Sequence, residues 1–218
     1  MFTFSLSGLE IKTQDGGPLE VEENETTARS AVYMVLGSFF QPVCQEQYDK
    51  AINDHLDKEM KESASLLPFE FDTGVPSIKE GSTFDDYKGE YVRVFGDELG
   101  AGSLLLAGDD ENVIAQLKRD YEYFGLGVGE DKKLDHLSTA LDFMQYVCFK
   151  EAASPSPRLK GSYRRAQRDF LEQNLVNKIP NIVDKAVALN PADPFNWGLT
   201  RLNAFVEADF KYITSLLG

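Results

Sequence analysis

Apolar residues recur at intervals of three and four along most of this chain, and that spacing restricts the fold more than any other feature of the sequence. The clearest example is the C-terminal stretch, whose one apolar face contains Phe195, Leu199, Leu202, Phe205, Val206, Phe210, Ile213 and Leu217. Alternating polar and apolar residues over strand lengths do not recur between such stretches, so a parallel sheet with helical crossovers is disfavoured. The pattern predicts an all-α fold.

Prolines, glycines and capping residues divide the chain into predicted helices. The stretches Leu67 to Ser77 and Gly100 to Gly108 are predicted loops, and Gly125 to Gly129 is predicted to be a helix stop and loop rather than a dinucleotide-binding turn. The predicted helices are Thr26 to Gln41, Gln45 to Ser63, Phe84 to about Gly96 with Ser82 or Thr83 as cap, Asp109 or Asp110 to Gly125, Asp135 to just before Ser154, one containing Phe170, Leu171, Leu175 and Val176, Pro180 to Leu189, and a last helix with Asp193 as cap and Pro194 at its first position.

The length of 218 residues, 42% of them hydrophobic, predicts one domain with an ample core. Residues 1–25 contain six acids, one lysine and the breakers Gly16, Gly17 and Pro18. That composition predicts a flexible acidic N-terminal arm, with a short strand at Phe2 to Leu6 as its one candidate element, followed by a helical domain over residues 26–218.

The charge balance limits the classes of partner. Thirty-six acids against 22 lysines and arginines give a formal charge of −14, which repels nucleic acid and anionic lipid. The surplus of acids either serves solubility alone or attracts a basic peptide, and both interpretations stay open. With only Cys44 and Cys148, no secretory start and no apolar run of about 18 residues, we expect a soluble cytoplasmic protein.

Sequence patterns of catalysis are scarce. Neither histidine, His55 or His136, has a second histidine or a cysteine at metal-ligand spacing, and neither a nucleophile elbow nor a phosphate-binding loop occurs. We therefore expect no catalytic residue, no metal and no cofactor. A helical enzyme that assembles carboxylates from distant segments remains an alternative.

Two segments stand out. In residues 84–96 the side chains of Tyr87, Tyr91, Val94 and Phe95 share one helical face, which is either core or a binding stripe. In residues 134–144 a helix begins at Asp135, which is predicted to cap it with His136 exposed alongside. The alternative interpretation makes this helix entrance a polar contact point for a peptide.

In their order and spacing these segments resemble the TorD/DmsD/NarJ family of chaperones for molybdenum oxidoreductases. The matching residues are Tyr91, Arg93, Val94, Phe95 and Gly96 in the first segment and Asp135, His136, Leu137, Leu141, Phe143 and Met144 in the second. The resemblance covers roughly residues 28–217. The chain departs from the family pattern at three places. It has no proline between Pro76 and Pro155, where the family has a proline-rich loop. Lys132, Lys133 and Leu134 precede the Asp-His pair, where the family commonly has a Glu-Pro segment, and Ala140 replaces a family glutamate. These departures indicate a divergent branch, similar to the one serving ethylbenzene, dimethyl sulfide, selenate or chlorate enzymes.

The resemblance implies a single-domain helical bundle of the TorD type. It also implies a cytoplasmic, non-enzymatic chaperone that holds the immature catalytic subunit of a molybdopterin oxidoreductase, and its twin-arginine leader where there is one, until cofactor insertion is complete and export can proceed. The client-binding residues it implies are Tyr87, Tyr91, Val94, Phe95, Asp135 and His136. A helical small-molecule-binding enzyme and a structural subunit of an oxidoreductase complex are the alternatives.

Charge around the first segment fits a basic leader. Eight acids lie between Asp85 and Glu111, against only Lys88 and Arg93. A solvated helix face would show the same excess. The loop from Gly96 to Gly108 is expected either to be mobile and to become ordered on a client, or to use Leu104 to Leu106 as a plug for the core.

Overall fold

The computed structural model describes residues 9–11, 24–52, 55–74, 76, 81–97, 102–129 and 133–218. Within these residues the chain is mostly helical and forms a single bundle, which confirms the all-α prediction. The helices are α1 (Glu25–Ser38), α2 (Gln45–Ile52), α3 (His55–Ala64), α4 (Phe84–Phe95), α5 (Glu111–Tyr123), α6 (Leu137–Ala153), α7 (Pro157–Phe170), α8 (Ile179–Val187) and α9 (Phe195–Leu217).

Local capping explains where several of these helices begin. The Asn24 side chain accepts from the amides of Thr26 and Thr27 at the start of α1. The Thr83 hydroxyl accepts from the Asp86 amide at the start of α4, and Asp110 caps α5. Each cap satisfies amide donors that have no partner inside the helix. The predicted starts of these helices were therefore correct to within a residue or two.

Three elements differ from prediction. The predicted helix from Gln45 to Ser63 is two helices, α2 and α3, and the two residues between them lie outside the described part of the chain. Helix α7 continues into a π-helical segment, Leu171–Leu175. The glycine-rich stretch after α5 contains a strand, β2 (Leu126–Val128), which pairs antiparallel with β1 (Leu9–Ile11). The prediction of a loop there was wrong, because the pairing partner is more than 100 residues away.

The predicted N-terminal arm is described only in part. Residues 9–11 form β1, while the candidate strand at Phe2 to Leu6 lies outside the described residues. Helix α1 begins at Glu25, close to the predicted domain start at residue 26. The division into a flexible arm and a helical domain stays a prediction.

Helix α6 is the centre of the bundle. Every residue from Leu137 to Phe149 is buried, as expected for a helix that neighbours surround on all sides. Helix α1 packs along it closely, since a Cβ atom on Gly37 would lie 3.4 Å from Cβ of Leu141. A buried ionic network then ties the surrounding helices together.

That network centres on Arg29 of α1, which is 1% exposed. Its guanidinium donates to both carboxylate oxygens of Asp209 in α9 and, at 2.7 Å, to Oε1 of Gln167 in α7. The Gln167 amide group donates at 2.8 Å to Glu151 of α6, and Tyr33 donates at 2.6 Å to Asp209. These bonds compensate buried charges that would otherwise be costly, so the network fixes how four helices meet.

Candidate functional site

The aromatic face of α4 points into the core. Tyr87, Tyr91, Val94 and Phe95 are 7%, 0%, 3% and 0% exposed. Phe195, the first residue of α9, packs against the three rings, with centroid distances of 4.8, 5.6 and 5.7 Å. The start of α9 thus covers this face, which agrees with its interpretation as core, and its role in client binding stays a prediction.

The two tyrosines of this face remain neutral phenols. Burial raises the pKa of Tyr91 and of Tyr87 above the ordinary tyrosine value. The Tyr91 hydroxyl donates to the carbonyl oxygen of Phe40 at 3.3 Å. In this conformation both tyrosines pack in the core, and the Tyr91 hydroxyl adds one hydrogen bond to the main chain.

The leucine segment after α4 is a plug. Leu104 is 0% and Leu106 6% exposed, so both side chains lie in the core. The Leu137 amide donates to the Leu104 carbonyl at 2.8 Å, and the Leu106 amide donates to the Asp135 carbonyl at 2.8 Å. The expectation of a mobile loop is wrong for these residues, because a strand-like bridge to the start of α6 holds them. Residues 98–101 lie outside the described part.

Two backbone segments also approach closely beside that bridge. Gly96 ends α4 with φ +95°, a left-handed conformation that favours glycine. A Cβ atom on Gly102 would lie 3.1 Å from the Phe95 carbonyl oxygen. Glycine at both positions therefore lets the leucine segment pass directly over the end of α4.

The Asp-His pair is buried by the same bridge, with Asp135 at 7% and His136 at 4% exposed. His136, not Asp135, caps α6: the Ser138 amide donates to His136 Nδ1 at 3.2 Å. The Asp135 carboxylate instead accepts from the Ala107 amide at 3.3 Å. The predictions that Asp135 caps the helix and that His136 is exposed are both wrong, because the bridge turns both side chains inward.

Lys178 contacts the leucine segment on the side opposite α6. Located just before α8, it donates from Nζ to the Leu106 carbonyl at 2.8 Å. Partial burial lowers its pKa, and the nearby carboxylates of Asp110 and Asp135 oppose that effect. The leucine segment is thus held by α6 on one side and by the start of α8 on the other.

The opposite end of α8 is held by α4. Arg93 donates to the carbonyls of Leu189 and Asn190 at 2.8 and 3.2 Å, and the Glu90 carboxylate accepts from the Ala192 amide at 2.6 Å. Hydrogen bonds from Arg93 hold the pKa of Glu90 below its ordinary value. Glu90 and Arg93 form what we call the turn clamp, which fixes the connection from α8 to α9.

The acidic residues around α4 and α5 differ in what their carboxylates contact. Asp86 and Asp110 are engaged at helix N-termini, Glu90 belongs to the turn clamp, and Glu98 lies outside the described residues. Exposed carboxylates remain at Asp85, Asp109 and Glu111. We call these three exposed carboxylates, which lie at the starts of α4 and α5, the acidic surface.

The described residues contain neither a metal-binding cluster nor a membrane-spanning helix. In that part of the chain, His, Cys, Asp and Glu side chains nowhere group in threes that could hold a metal ion. Likewise, the helices described there include none both long and apolar enough to cross a membrane.

Sequence reasoning missed the network around Arg29. A signal is nevertheless present, because Arg29 lies in the same predicted helix as the apolar residues Ala31, Val32, Tyr33 and Val35. A charged residue within such a helix indicates a buried partner. The sequence does not show that Asp209, 180 residues away, is that partner.

The chain is similar in sequence to three proteins described as assembly chaperones of reductases. It is 31% identical over 122 residues to the selenate reductase assembly chaperone protein of Thauera selenatis, covering 50% of this chain and 62% of that one. It is 30% identical over 147 residues to the perchlorate reductase assembly chaperone protein of Dechloromonas aromatica (strain RCB), covering 62% and 65%. It is 30% identical over 104 residues to the chlorate reductase assembly chaperone protein of Ideonella dechloratans, covering 42% and 53%.

The matched regions therefore span 53% to 65% of the length of these relatives. No solved structure matches the chain significantly. The family model described as nitrate reductase delta subunit matches residues 53–184, which contain both the α4 segment and the Asp-His segment. Since that match covers more than half of the chain and agrees with the resemblance in its motifs, the chain belongs to the nitrate reductase delta subunit family of the NarJ/TorD type.

Proposed function

We propose that this protein is an assembly chaperone, which binds the catalytic subunit of a molybdopterin oxidoreductase in the cytoplasm while its cofactor is inserted. The observation that carries the proposal is the similarity to three proteins named as assembly chaperones of selenate, perchlorate and chlorate reductases. In this role the chain acts by binding and is not itself an enzyme.

A twin-arginine leader is the finer part of the proposal. The exposed carboxylates of Asp85, Asp109 and Glu111 offer acceptors for guanidinium groups, and charge-assisted bonds of this kind are short and directional. A leader that combines arginines with an apolar stretch also needs an apolar contact. We propose that this contact is the buried apolar face of α4, the helix that contains Asp85.

Client contact through the six predicted residues requires a rearrangement. Asp135 and His136 are covered by the leucine segment, and Tyr87, Tyr91 and Phe95 by Phe195. The polar bonds of Lys178 and of the turn clamp hold those covers in place. We propose that the client displaces one of these covers and binds the surface beneath, which includes Val94.

Co-purification tests the function. The tagged chain is produced with a candidate catalytic subunit, in cells that make the molybdenum cofactor and in cells that do not. A chaperone should recover the subunit without cofactor and should be absent from the purified mature enzyme. Equal recovery with the mature enzyme would instead identify a structural subunit, and failure to recover the subunit in either strain would contradict the proposal.

Hydrogen exchange tests the site. With the cofactor-free subunit bound, the amides of Leu106 and Leu137 should exchange faster than in the free chain, because their bridge is opened. The helix interior of α6 serves as the internal control and should keep its protection. Unchanged exchange at both amides and at Phe195 would show that the six residues act only as core.

A further inference from the structure

Helix α7 is basic in an otherwise acidic protein. Residues 157–168 contain five lysines and arginines and no acid, while the whole chain has a formal charge of −14. The five are Arg158, Lys160, Arg164, Arg165 and Arg168. A charge reversal confined to one helix is a surface feature that solubility alone does not require.

Two of the four arginines are available to a partner. Arg164 is committed to Glu151 at 2.6 Å, and Arg168 to its neighbour Asp169. Arg158 and Arg165 are exposed, and within the described part of the chain neither has an acidic partner. They lie two turns apart on the same side of α7, about 10 Å along the helix axis.

One exposed apolar side chain lies beside these arginines. Leu159, which follows Arg158 directly and lies about 100° around the helix from it, is 51% exposed. We define Arg158, Arg165 and Leu159 as the α7 surface, which combines two exposed arginines with one exposed apolar side chain.

We infer that the α7 surface is a second docking site, which binds an acidic, extended segment of a protein partner that also carries an apolar residue. In a polyproline II segment, which has three residues per turn and rises about 3.1 Å per residue, carboxylates three residues apart lie on the same side about 9 Å apart, close to the spacing of Arg158 and Arg165. The inference uses none of the residues assigned to the client site and does not depend on the proposed function.

Range of interaction favours a short acidic segment over other anions. At physiological salt, charges beyond about 8 Å are largely screened, so a short peptide senses mainly the arginines it touches. A bilayer or a long nucleic acid extends past α7 over a chain whose formal charge is −14, and this net charge repels it. Charge complementarity is therefore satisfied locally and only for a small ligand.

A labelled peptide tests the inference. The probe is a nine-residue extended peptide with glutamates three residues apart, one phenylalanine and no basic residue, and its binding is followed by fluorescence anisotropy at low salt. Arg158→Gln with Arg165→Gln should weaken binding about tenfold, since each exposed ion pair contributes a factor of a few. Leu159→Ser should weaken binding about threefold.

A matched control separates the α7 surface from net charge. Lys58→Gln with Lys118→Gln removes the same two charges from exposed positions on α3 and α5, and should change peptide affinity less than twofold. Equal losses in both double variants, or no measurable binding to the parent chain, would overturn the inference. So would tighter arginine-dependent binding of phosphatidylglycerol vesicles or of a single-stranded oligonucleotide than of the peptide.

Discussion

At the scale of single residues, Asp209 shows how much one buried charge determines. It is 0% exposed and neutralises Arg29, which has no route to solvent. Asp209→Asn removes the charge but keeps the shape, leaving the guanidinium undercompensated. We expect the free energy of unfolding to fall by about 3 kcal/mol, measured by urea denaturation.

The control for this substitution lies on the same helix. Glu207 forms an exposed pair with Lys211 at 2.6 Å, and Glu207→Gln should cost less than about 0.5 kcal/mol. Replacing both members of the buried pair, as Arg29→Met with Asp209→Leu, should recover part of the loss. A loss below about 1 kcal/mol for Asp209→Asn would show that the pair is not fully desolvated.

His136 gives a second prediction at this scale. Its Nδ1 accepts the Ser138 amide, so His136→Ala loses the cap of α6 and leaves a cavity in a buried site. We expect the free energy of unfolding to fall by about 2 kcal/mol in thermal or urea denaturation. His136→Asn keeps a side-chain acceptor and should lose clearly less. Equal stability of the parent and His136→Ala would place the ring in solvent.

At the scale of elements, the turn clamp couples α4 to the connection between α8 and α9. The lowered pKa of Glu90 means that the folded state favours the ionised carboxylate. Its contribution is therefore present above the ordinary glutamate pKa and is lost as pH falls through the lowered value. The Ala192 amide, which donates to Glu90, reports on this contact directly.

We expect Ala192 to exchange faster in Glu90→Gln than in the parent at neutral pH, by a factor of a few. The ratio of the two rates should approach one as pH falls through the lowered pKa of Glu90. Glu122→Gln, which removes an exposed pair with Lys118 on α5, is the control and should leave Ala192 unchanged. A ratio independent of pH would show that the amide does not depend on the charge of Glu90.

Elements whose ends depend on local contacts could be predicted from the sequence. Thr83 and Gly96 limit α4, and both act through residues within one turn. The burial of Leu104 and the inward turn of His136 could not be predicted, because each depends on a partner segment about 30 residues away. The same reason explains β1 and β2, and it explains why a predicted surface site is covered in the structure.

At the scale of the whole molecule, charge is distributed unevenly. The exposed acids near α4 and α5 and the arginines of α7 lie on different helices, so ligands of opposite charge can bind at separate places. The formal charge of −14 determines the average electrostatic field around the protein. Because salt screens distant charges, the affinity for a bound ligand depends mainly on the charged side chains that it contacts. Salt dependence therefore measures the electrostatic part of binding, and substitution of the local acids against matched acids elsewhere distinguishes a local acidic surface from net charge.

We expect a leader peptide with an arginine pair to bind about tenfold more weakly when salt rises from roughly 25 to 250 mM, because exposed charge pairs are screened. At low salt, Asp85→Asn with Asp109→Asn and Glu111→Gln should also weaken binding about tenfold, since these are the exposed acids of the acidic surface. Isothermal titration calorimetry measures both effects.

The control removes three exposed acids elsewhere, as Asp49→Asn with Asp184→Asn and Glu207→Gln. Equal weakening by the control would assign the attraction to net charge, and an affinity independent of salt would remove electrostatics from leader recognition.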